Sequence, residues 1–284
     1  MLRGIFVPLK AALVSAAFLL LAAACATPDA MGGSRSAVER WGRQIGFVSG
    51  HIDAGGFRLF RLTRRVGRSD TLTIYIEGDG APWATPFHPP HDPTPVKPIA
   101  LALAAADPAP AIVYLGRPCQ YLDDDALARC DSDYWMGRRF APAVVAAYGQ
   151  ALDRLKAEHG AQSLRLIGHS GGGVIAVLLA QRRADVVALI TVAAPLALAD
   201  WTSHHQVTAL SASLDPLAQA GSVAHGVHWT GGRDRNVPPS LVAGFVRHKG
   251  GRMMTVARFD HECCWAQQWP ALLSRSIIQE TQNE

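Results

Sequence analysis

The sequence predicts an α/β protein with a doubly wound, mostly parallel sheet of eight strands and helices on both faces. Apolar runs of strand length alternate with stretches of helical periodicity along most of the chain. The later runs are almost continuous in Val, Ile and Leu, which is typical of parallel strands covered on both faces. With 284 residues, 49% of them hydrophobic, the chain can bury a large core.

Eight segments have the length and composition of strands. They are residues 46–52, 57–63, 71–77, 111–115, 163–168, 186–193, 227–230 and 253–259. Short Gly-rich or charged links join the first three, as in hairpins, and the basic run "RLTRRVGR" fits the solvated rim of such a hairpin.

Four segments between or after these strands have helical character. They are residues 142–159, 172–183, 239–247 and 265–279. The first carries an apolar stripe at helical spacing and ends at Gly160, a residue common just beyond helix ends. The third begins with Pro239, which suits a first helical turn.

The N-terminus has the pattern of an export signal. Arg3 and Lys10 give a positive start, and the apolar stretch 11–24 is short for a membrane span, so residues 1–24 are predicted to be a signal peptide. The sequence "LAAAC" that follows resembles the lipobox of bacterial lipoproteins, which predicts lipidation of Cys25. The alternative is ordinary cleavage and a soluble secreted or periplasmic protein.

Several acyl chains on Cys25 would hold the protein at a membrane. The next residue is Ala26 rather than Asp, and by resemblance to Gram-negative lipoproteins this indicates the outer membrane, with the protein facing the periplasm. The small and polar stretch that follows predicts a lipidated, flexible tether over residues 25–45.

The charge balance shows that the chain is not a strongly basic protein. The net charge is +4, and without Arg3 and Lys10 the chain keeps 25 basic against 23 acidic residues, or +2. We therefore predict no nucleic-acid partner.

Residues 46–284 are predicted to form one domain with long loops at 80–98, 116–139 and 195–224. Each loop follows a strand, where ligand sites form in open α/β sheets.

Export makes disulfides plausible for the four remaining cysteines, which allow three pairings. We favour Cys119–Cys130, which closes one loop. Cys263 and Cys264 are then left as an adjacent pair, either bonded to each other or reduced. The cysteine spacing has no zinc pattern, so no metal site is predicted.

The stretch "SLRLIGHSGGGVIAVLLA" begins as a strand and ends as a helix, with G-x-S-x-G at the turn. Small residues suit any tight turn, but this context also suits a nucleophilic Ser170 held on a strained elbow. Here the sequence resembles the α/β-hydrolase superfamily, from about residue 46 to residue 279. The resemblance implies the α/β-hydrolase fold, with the long loops in the place of a lid.

In that superfamily the catalytic residues follow the order serine, acid, histidine. After Ser170, the stretch "GGRDRNVP" ends a strand and offers Asp234, and His261 follows the last strand. The resemblance therefore implies a triad of Ser170 as nucleophile, His261 as general base and acid, and Asp234 as the residue that orients His261. Asp260 is a minor rival for the acid.

The resemblance also indicates the oxyanion donors. One is the N–H of Gly171, after the nucleophile, and the other comes from the loop after strand 71–77. Where the family often has His-Gly, this chain has Glu77 and Gly78, and position matching indicates the N–H of Asp79, with Gly80 as second choice. A carboxylate at Asp79 disfavours an oxyanion unless that side chain turns away.

The other aromatic, histidine and acidic side chains of interest lie mostly on the predicted loops. Four aromatic residues either line an acyl pocket or pack within the loops: Trp83, Tyr134, Trp135 and Trp201. His169 is predicted to be a packing residue, and four histidines to lie on loops in solvent: His88, His91, His204 and His205. The charge run 123–125 is best interpreted as a solvated face.

The segments "IYIEGDGAPW", "DPTP", "YLGRPCQY", "YW" and "RF" are also similar to a set of bacterial α/β-hydrolase lipoproteins, which implies the fold and the disulfide-bearing loop. The sequence thus predicts an exported, carboxylesterase-like serine hydrolase that cleaves a small-molecule or lipid-like ester through an acyl-enzyme. It predicts no metal or organic cofactor. The alternatives are a non-catalytic envelope binding protein on this scaffold and a serine peptidase or amidase.

Overall fold

The computed structural model describes residues 32–81 and 90–277. The predicted signal peptide 1–24, Cys25, Trp83 and His88 lie outside the described residues. All eight predicted strands are present: β1 Val48–Ala54, β2 Phe57–Arg65, β3 Thr71–Ile76, β4 Ala111–Leu115, β5 Ser163–His169, β6 Val186–Val192, β7 Val227–Gly231 and β8 Arg252–Val256.

The strands form one mostly parallel sheet in the order β1-β2-β4-β3-β5-β6-β7-β8. The six strands β4, β3, β5, β6, β7 and β8 are parallel to one another, whereas β1 and β2 form an antiparallel hairpin at one edge. The predicted pairing of the second and third strands is wrong, because β2 pairs antiparallel with β4, with Thr63 opposite Val113. Five of the six side chains of β3 are buried, so this strand needs cover on both sides and lies between β4 and β5.

The chain forms helices between and around these strands. They are α1 Arg35–Gln44, α2 Ile99–Ala106, α3 Asp124–Ala128, α4 Pro142–His159, α5 Gly171–Ala180, α6 Leu198–His205, α7 Pro239–Lys249 and α8 Trp265–Ile277. The four predicted helices correspond to α4, α5, α7 and α8. The other four arise in segments that were predicted to be tether, link or loop.

The predicted flexible tether over residues 25–45 is wrong for the part of it that forms helix α1. Ser34 caps this helix by accepting a hydrogen bond from the N–H of Ala37, at 3.3 Å. Val38 is fully buried, and Gly42 packs against Leu62 of β2. Because one side of α1 is apolar at helical spacing, this segment gains more from packing on the sheet than from remaining a free linker. The folded domain therefore begins before residue 46.

The core has two parts, one on each face of the sheet. Side chains of α4, α5 and α7 pack on one face, and side chains of α1, α2 and α8 pack on the other. In β4, Val113 and Leu115 point to the first face and Ile112 and Tyr114 to the second. This arrangement explains why the strand is apolar at every position, as predicted for a sheet covered on both sides.

Two disulfides link the four described cysteines. Cys119 and Cys130 are joined with a Cα–Cα distance of 6.0 Å, as predicted, and Cys263 is bonded to its neighbour Cys264. The loop closed by the first bond holds α3, where Asp123 accepts a hydrogen bond from the N–H of Ala126. None of the helices in residues 32–81 and 90–277 is both long and apolar enough to cross a lipid bilayer.

His228 is a buried polar residue in the core of this fold. Its ring lies on β7 with no exposed surface, and Nδ1 is 2.9 Å from the hydroxyl of Thr191. In the described part of the chain Nε2 has no hydrogen-bond partner. Burial lowers the pKa of His228 to about 3, because a charged ring in this position would lose its hydration.

This burial predicts a pH-dependent contribution to stability. In the unfolded chain His228 binds a proton below about pH 6.5, whereas in the fold it stays neutral down to about pH 3, so stability falls as the pH drops through that window. The variant His228→Gln should lower the slope of the unfolding free energy against pH by up to about 1.4 kcal/mol per pH unit between pH 4 and 6. Urea titrations at several pH values measure it. Exposed His204→Gln is the matched control, and equal slopes for wild type and His228→Gln would contradict the account.

Candidate active site

Ser170 lies at the turn between β5 and α5, at the carboxyl edge of the sheet. Its backbone has φ of 51° and ψ of −124°, a conformation that is uncommon for any residue other than glycine. The N–H of Ser170 donates to the carbonyl of Val192 at the end of β6, at 2.9 Å. The turn therefore projects the hydroxyl above the sheet edge rather than into the core.

The glycines around Ser170 are required by close backbone contacts. A Cβ at Gly168 would lie 2.3 Å from the backbone of Gly172, and a Cβ at Gly172 would lie 2.1 Å from the carbonyl oxygen of Ile76. Neither position can hold a side chain without moving β3 or α5. The G-x-S-x-G pattern thus reflects the packing of a strand, a turn and a helix within van der Waals distance.

The structure brings the three predicted triad residues together. His261 Nε2 lies 3.0 Å from Ser170 Oγ, and His261 Nδ1 lies 2.9 Å from Asp234 Oδ2. An ionised carboxylate can only accept a hydrogen bond, so Nδ1 carries the proton and Nε2 is left to accept from the serine hydroxyl. This arrangement can take a proton from Ser170.

Asp234 is held firmly in place. Its side chain has no exposed surface, and its second oxygen, Oδ1, accepts hydrogen bonds from the N–H groups of Asn236 and Val237, both at 2.8 Å. The rival acid, Asp260, lies in a different position, where its Oδ1 accepts from the N–H groups of Glu262 and Cys263. Asp260 therefore shapes the loop of His261 and does not contact the imidazole through a hydrogen bond.

His169, predicted to be a packing residue, also makes a polar contact. Its Nε2 is 2.9 Å from the backbone carbonyl of His261, which can only accept, so His169 donates the proton. Burial, followed by the nearby charge of His261, lowers the pKa of His169 to about 3. His169 therefore stays neutral at physiological pH and helps to hold the loop that carries His261.

The loop after β3 is held by a buried carboxylate, Glu77. Its Oε1 accepts from the N–H of Gly78 at 2.9 Å and from the N–H of Ala100 in the first turn of α2, at 3.3 Å. Its Oε2 accepts from the hydroxyl of Tyr114 at 3.1 Å and from the N–H of Leu101. Burial raises the pKa of Glu77 to about 7, although these hydrogen bonds act in the opposite direction.

The Asp79 carboxylate binds two arginines. Arg117 Nη1 donates to Oδ1 at 2.9 Å, and Arg139 Nη1 donates to Oδ2 at 3.0 Å. Burial acts to raise the pKa of Asp79, but the charges of Arg139 and Arg117 outweigh burial and lower that pKa below its usual value. The two arginines thus compensate a negative charge that would otherwise oppose a developing oxyanion.

The backbone donors beside Ser170 are available. Among the described residues, the N–H groups of Gly171, Asp79 and Gly80 have no hydrogen-bond partner, whereas the N–H of Gly78 is bound to Glu77. Asp79 and Gly171 are close neighbours, because a Cβ added to Gly171 would lie 2.0 Å from Asp79 Oδ1. The two loops that are predicted to supply the oxyanion donors are therefore adjacent.

A cleft of about 310 Å³ opens above Ser170. Its apolar lining includes Trp135 and Trp201, whereas Tyr134 packs against Phe57 with ring centroids 4.7 Å apart.

His204 and His205 lie on α6 instead of a loop, and His205 Nε2 contacts the carbonyl of Asn236. Within residues 32–81 and 90–277, no cluster of His, Cys, Asp and Glu could hold a metal ion.

The arginine pair was missed in the sequence analysis. Both residues come from the segment 116–139, and each lies far from Asp79 in the chain, 38 residues for Arg117 and 60 for Arg139. The signal that could have indicated them is the acidic stretch "IEGDG" at a strand end, because a carboxylate that is partly removed from water gains from a cationic partner. Nothing local to the motif identifies which arginine that is.

Comparisons with known proteins bear on the fold. The model of the PGAP1-like alpha/beta domain family matches residues 136–246, less than half of the chain. A search of curated protein sequences gives no significant match.

Solved structures give a broader likeness. An alpha-beta serine hydrolase homologue from Coxiella burnetii superposes with a TM-score of 0.56 at 16% identity, over 82% of this chain and 96% of that one. The chain has the α/β-hydrolase fold. A Pyrococcus furiosus esterase shares that fold at a TM-score of 0.58 and 11% identity, over 84% of this chain and 94% of the esterase.

Est1E from Butyrivibrio proteoclasticus is a third similar structure. It has a TM-score of 0.52 and 14% identity, over 81% of this chain and 99% of Est1E. Since each neighbour is covered almost completely, the α/β-hydrolase fold accounts for the whole of these proteins and for most of the present chain. The fold class inferred from the sequence, the α/β-hydrolase fold, is confirmed.

The close packing of the elbow predicts a steric defect. Gly172→Ala would push a methyl group into the carbonyl of Ile76, so we expect a loss of about 2–4 kcal/mol in unfolding free energy, measured by urea denaturation. Gly149→Ala is the matched control, since a Cβ there meets no atom within 4 Å and α4 should gain about 0.5–1 kcal/mol. Equal stability of Gly172→Ala and wild type would show that the elbow is not tightly packed.

Proposed function

We propose that the protein is a serine hydrolase that cleaves an ester bond through an acyl-enzyme intermediate. The observation that carries this proposal is the position of His261, with one ring nitrogen 3.0 Å from Ser170 Oγ and the other 2.9 Å from Asp234. A free serine hydroxyl is a poor nucleophile near neutral pH, so it needs a base at this distance. The similarity to structures described as a serine hydrolase homologue and an esterase supports the same reaction class.

The acylation step uses the hydrogen bonds that link Ser170, His261 and Asp234. Ser170 Oγ attacks the ester carbonyl while its proton passes to His261 Nε2, and the bond to the alcohol breaks as His261 returns that proton to the leaving oxygen. Asp234 stabilises the imidazolium that forms between the two transfers. Deacylation repeats the sequence with water in place of the serine, and it releases the acid and restores Ser170.

The oxyanion of each tetrahedral intermediate needs donors already in position. The N–H groups of Gly171 and Asp79 suit this role, because among the described residues neither has another partner and the two residues are in contact. The Asp79 carboxylate, bound by Arg117 and Arg139, fixes its own backbone in the loop. N–H donors unpaired among the described residues and an Asp79 carboxylate paired with two arginines support catalysis over a non-catalytic binding scaffold.

A fluorophosphonate probe tests the nucleophile. Wild-type protein should react at Ser170, and Ser170→Ala should not react at all, as read by intact-mass spectrometry. Asp234→Asn should slow the reaction by about 10⁴-fold, because the wrong tautomer of His261 is then favoured. Ser274→Ala on the exposed side of α8 is the matched control and should react like wild type. Equal labelling of wild type and Ser170→Ala, or no labelling of either, would refute the proposal.

We also propose that the protein is exported and anchored by lipid at Cys25. Expressed in a Gram-negative host with a palmitate analogue, the wild type should incorporate label and sediment with outer membranes, because several acyl chains bind a bilayer strongly. Cys25→Ala should lose both properties. A wild type without label, or equal label on the variant, would favour simple signal cleavage and a soluble periplasmic protein.

A further inference from the structure

Arg139 holds a special position in the proposed catalytic cleft. It lies between the short helical turn Ser132–Trp135 and α4, and its side chain lines the same cleft as Ser170 and His261. The side chain is 15% exposed, so it reaches solvent at the cleft wall without being a freely moving surface group. Its partner in binding Asp79, Arg117, is 4% exposed and does not line the cleft.

The hydrogen bonds of Arg139 leave one nitrogen unused. Nε donates to the carbonyl of Met136 at 2.7 Å, and Nη1 donates to Asp79 Oδ2 at 3.0 Å. In the part of the chain that the structure describes, Nη2 has no hydrogen-bond partner, although it is not fully buried. Two contacts therefore fix the guanidinium plane and leave a charged N–H₂ group available in the cleft.

The charges around the cleft leave this guanidinium without full compensation. The single carboxylate of Asp79 is shared between Arg117 and Arg139. The Glu262 carboxylate is paired with Lys97 at 3.1 Å. The Glu77 carboxylate accepts hydrogen bonds from the first turn of α2 and from Tyr114, as described above. The local balance of Asp79 and its two arginines is thus one positive charge.

We propose that Arg139 is a specificity-determining residue that binds a carboxylate on the substrate, so that the enzyme acts on small esters that carry a second, anionic group. This inference rests on the proposed function, because it assigns a substrate class to the same cleft. One free nitrogen suits contact with one anionic oxygen, and partial burial strengthens such a charge-assisted hydrogen bond. The cleft volume of about 310 Å³ lies at the small end of ligand sites and favours a compact ester.

The substrate carboxylate lies either on the acyl side or on the alcohol side of the ester. Two pairs of substrates of similar size, one anionic and one neutral in each pair, distinguish these two positions. The acyl pair is 4-nitrophenyl hydrogen glutarate and 4-nitrophenyl pentanoate. The alcohol pair is 4-acetoxybenzoate and methyl 4-acetoxybenzoate. Rates corrected for spontaneous hydrolysis give kcat and KM for each member. The ratio of kcat/KM within a pair cancels any general damage to the catalytic machinery.

The wild type should prefer the anionic member of at least one pair by about tenfold or more in kcat/KM, mainly through a lower KM. Arg139→Met should abolish the preference, and Arg139→Lys should retain part of it. Added salt should reduce the preference in the wild type. Arg138→Met is the matched control, because the Arg138 side chain binds Asp131 and Tyr134 outside the cleft lining. That variant should keep the full preference.

Four results would overturn the inference. A wild type that hydrolyses the neutral esters without any preference, or an Arg139→Met variant that keeps the preference, would exclude this role while leaving the proposed function intact. An equal loss of rate on both members of each pair in Arg139→Met would assign Arg139 only to holding Asp79. Failure of the wild type on every ester, together with failure of the fluorophosphonate reaction, would refute both proposals.

Discussion

The two hydrogen bonds of the His261 imidazole are the constraint on which the site depends. One bond comes from a turn after β5, the other goes to a turn after β7, and His261 itself follows β8. Three loops at one sheet edge must therefore keep their relative positions to within a few tenths of an ångström. A parallel sheet meets this requirement, because the carboxyl ends of its strands share an edge and their spacing is fixed by the backbone ladder.

Buried polar contacts carry this constraint from the sheet to the loops. Asp234 is fixed by two backbone N–H groups, and His169 binds the backbone of the His261 loop from the other side. A neutral His169 suits that position, since a second positive charge there would destabilise the imidazolium of the proposed reaction. On the opposite wall, Glu77 ties the loop after β3 to α2, and Asp79 ties it to the segment 116–139. Ionic and polar contacts thus hold the loops that form the cleft in position on the sheet.

The strands of the sheet and the three residues of the predicted triad could be identified from the amino-acid sequence, for physical reasons. Strands such as Ala111–Leu115 must be apolar on both faces, so their composition identifies them. Ser170 could be found because its turn leaves no room for a side chain at Gly168 and Gly172. Helix α2, by contrast, is apolar all round and shows no periodicity, and the strand order depends on crossovers that local sequence does not encode. The Asp79–Arg139 pair joins residues remote in the chain, which only the fold brings together.

The proposed mechanism requires an oxyanion formed at Ser170 to lie between donors from two separate loops. The most direct measurement is a crystal structure of the protein after reaction with a phosphonate ester that mimics the tetrahedral intermediate. We expect a covalent bond to Ser170 Oγ, His261 Nε2 close to the leaving-group side, and the phosphonyl oxygen within about 3.1 Å of the N–H groups of both Gly171 and Asp79. An adduct whose phosphonyl oxygen points to bulk solvent or contacts neither N–H group would contradict the account.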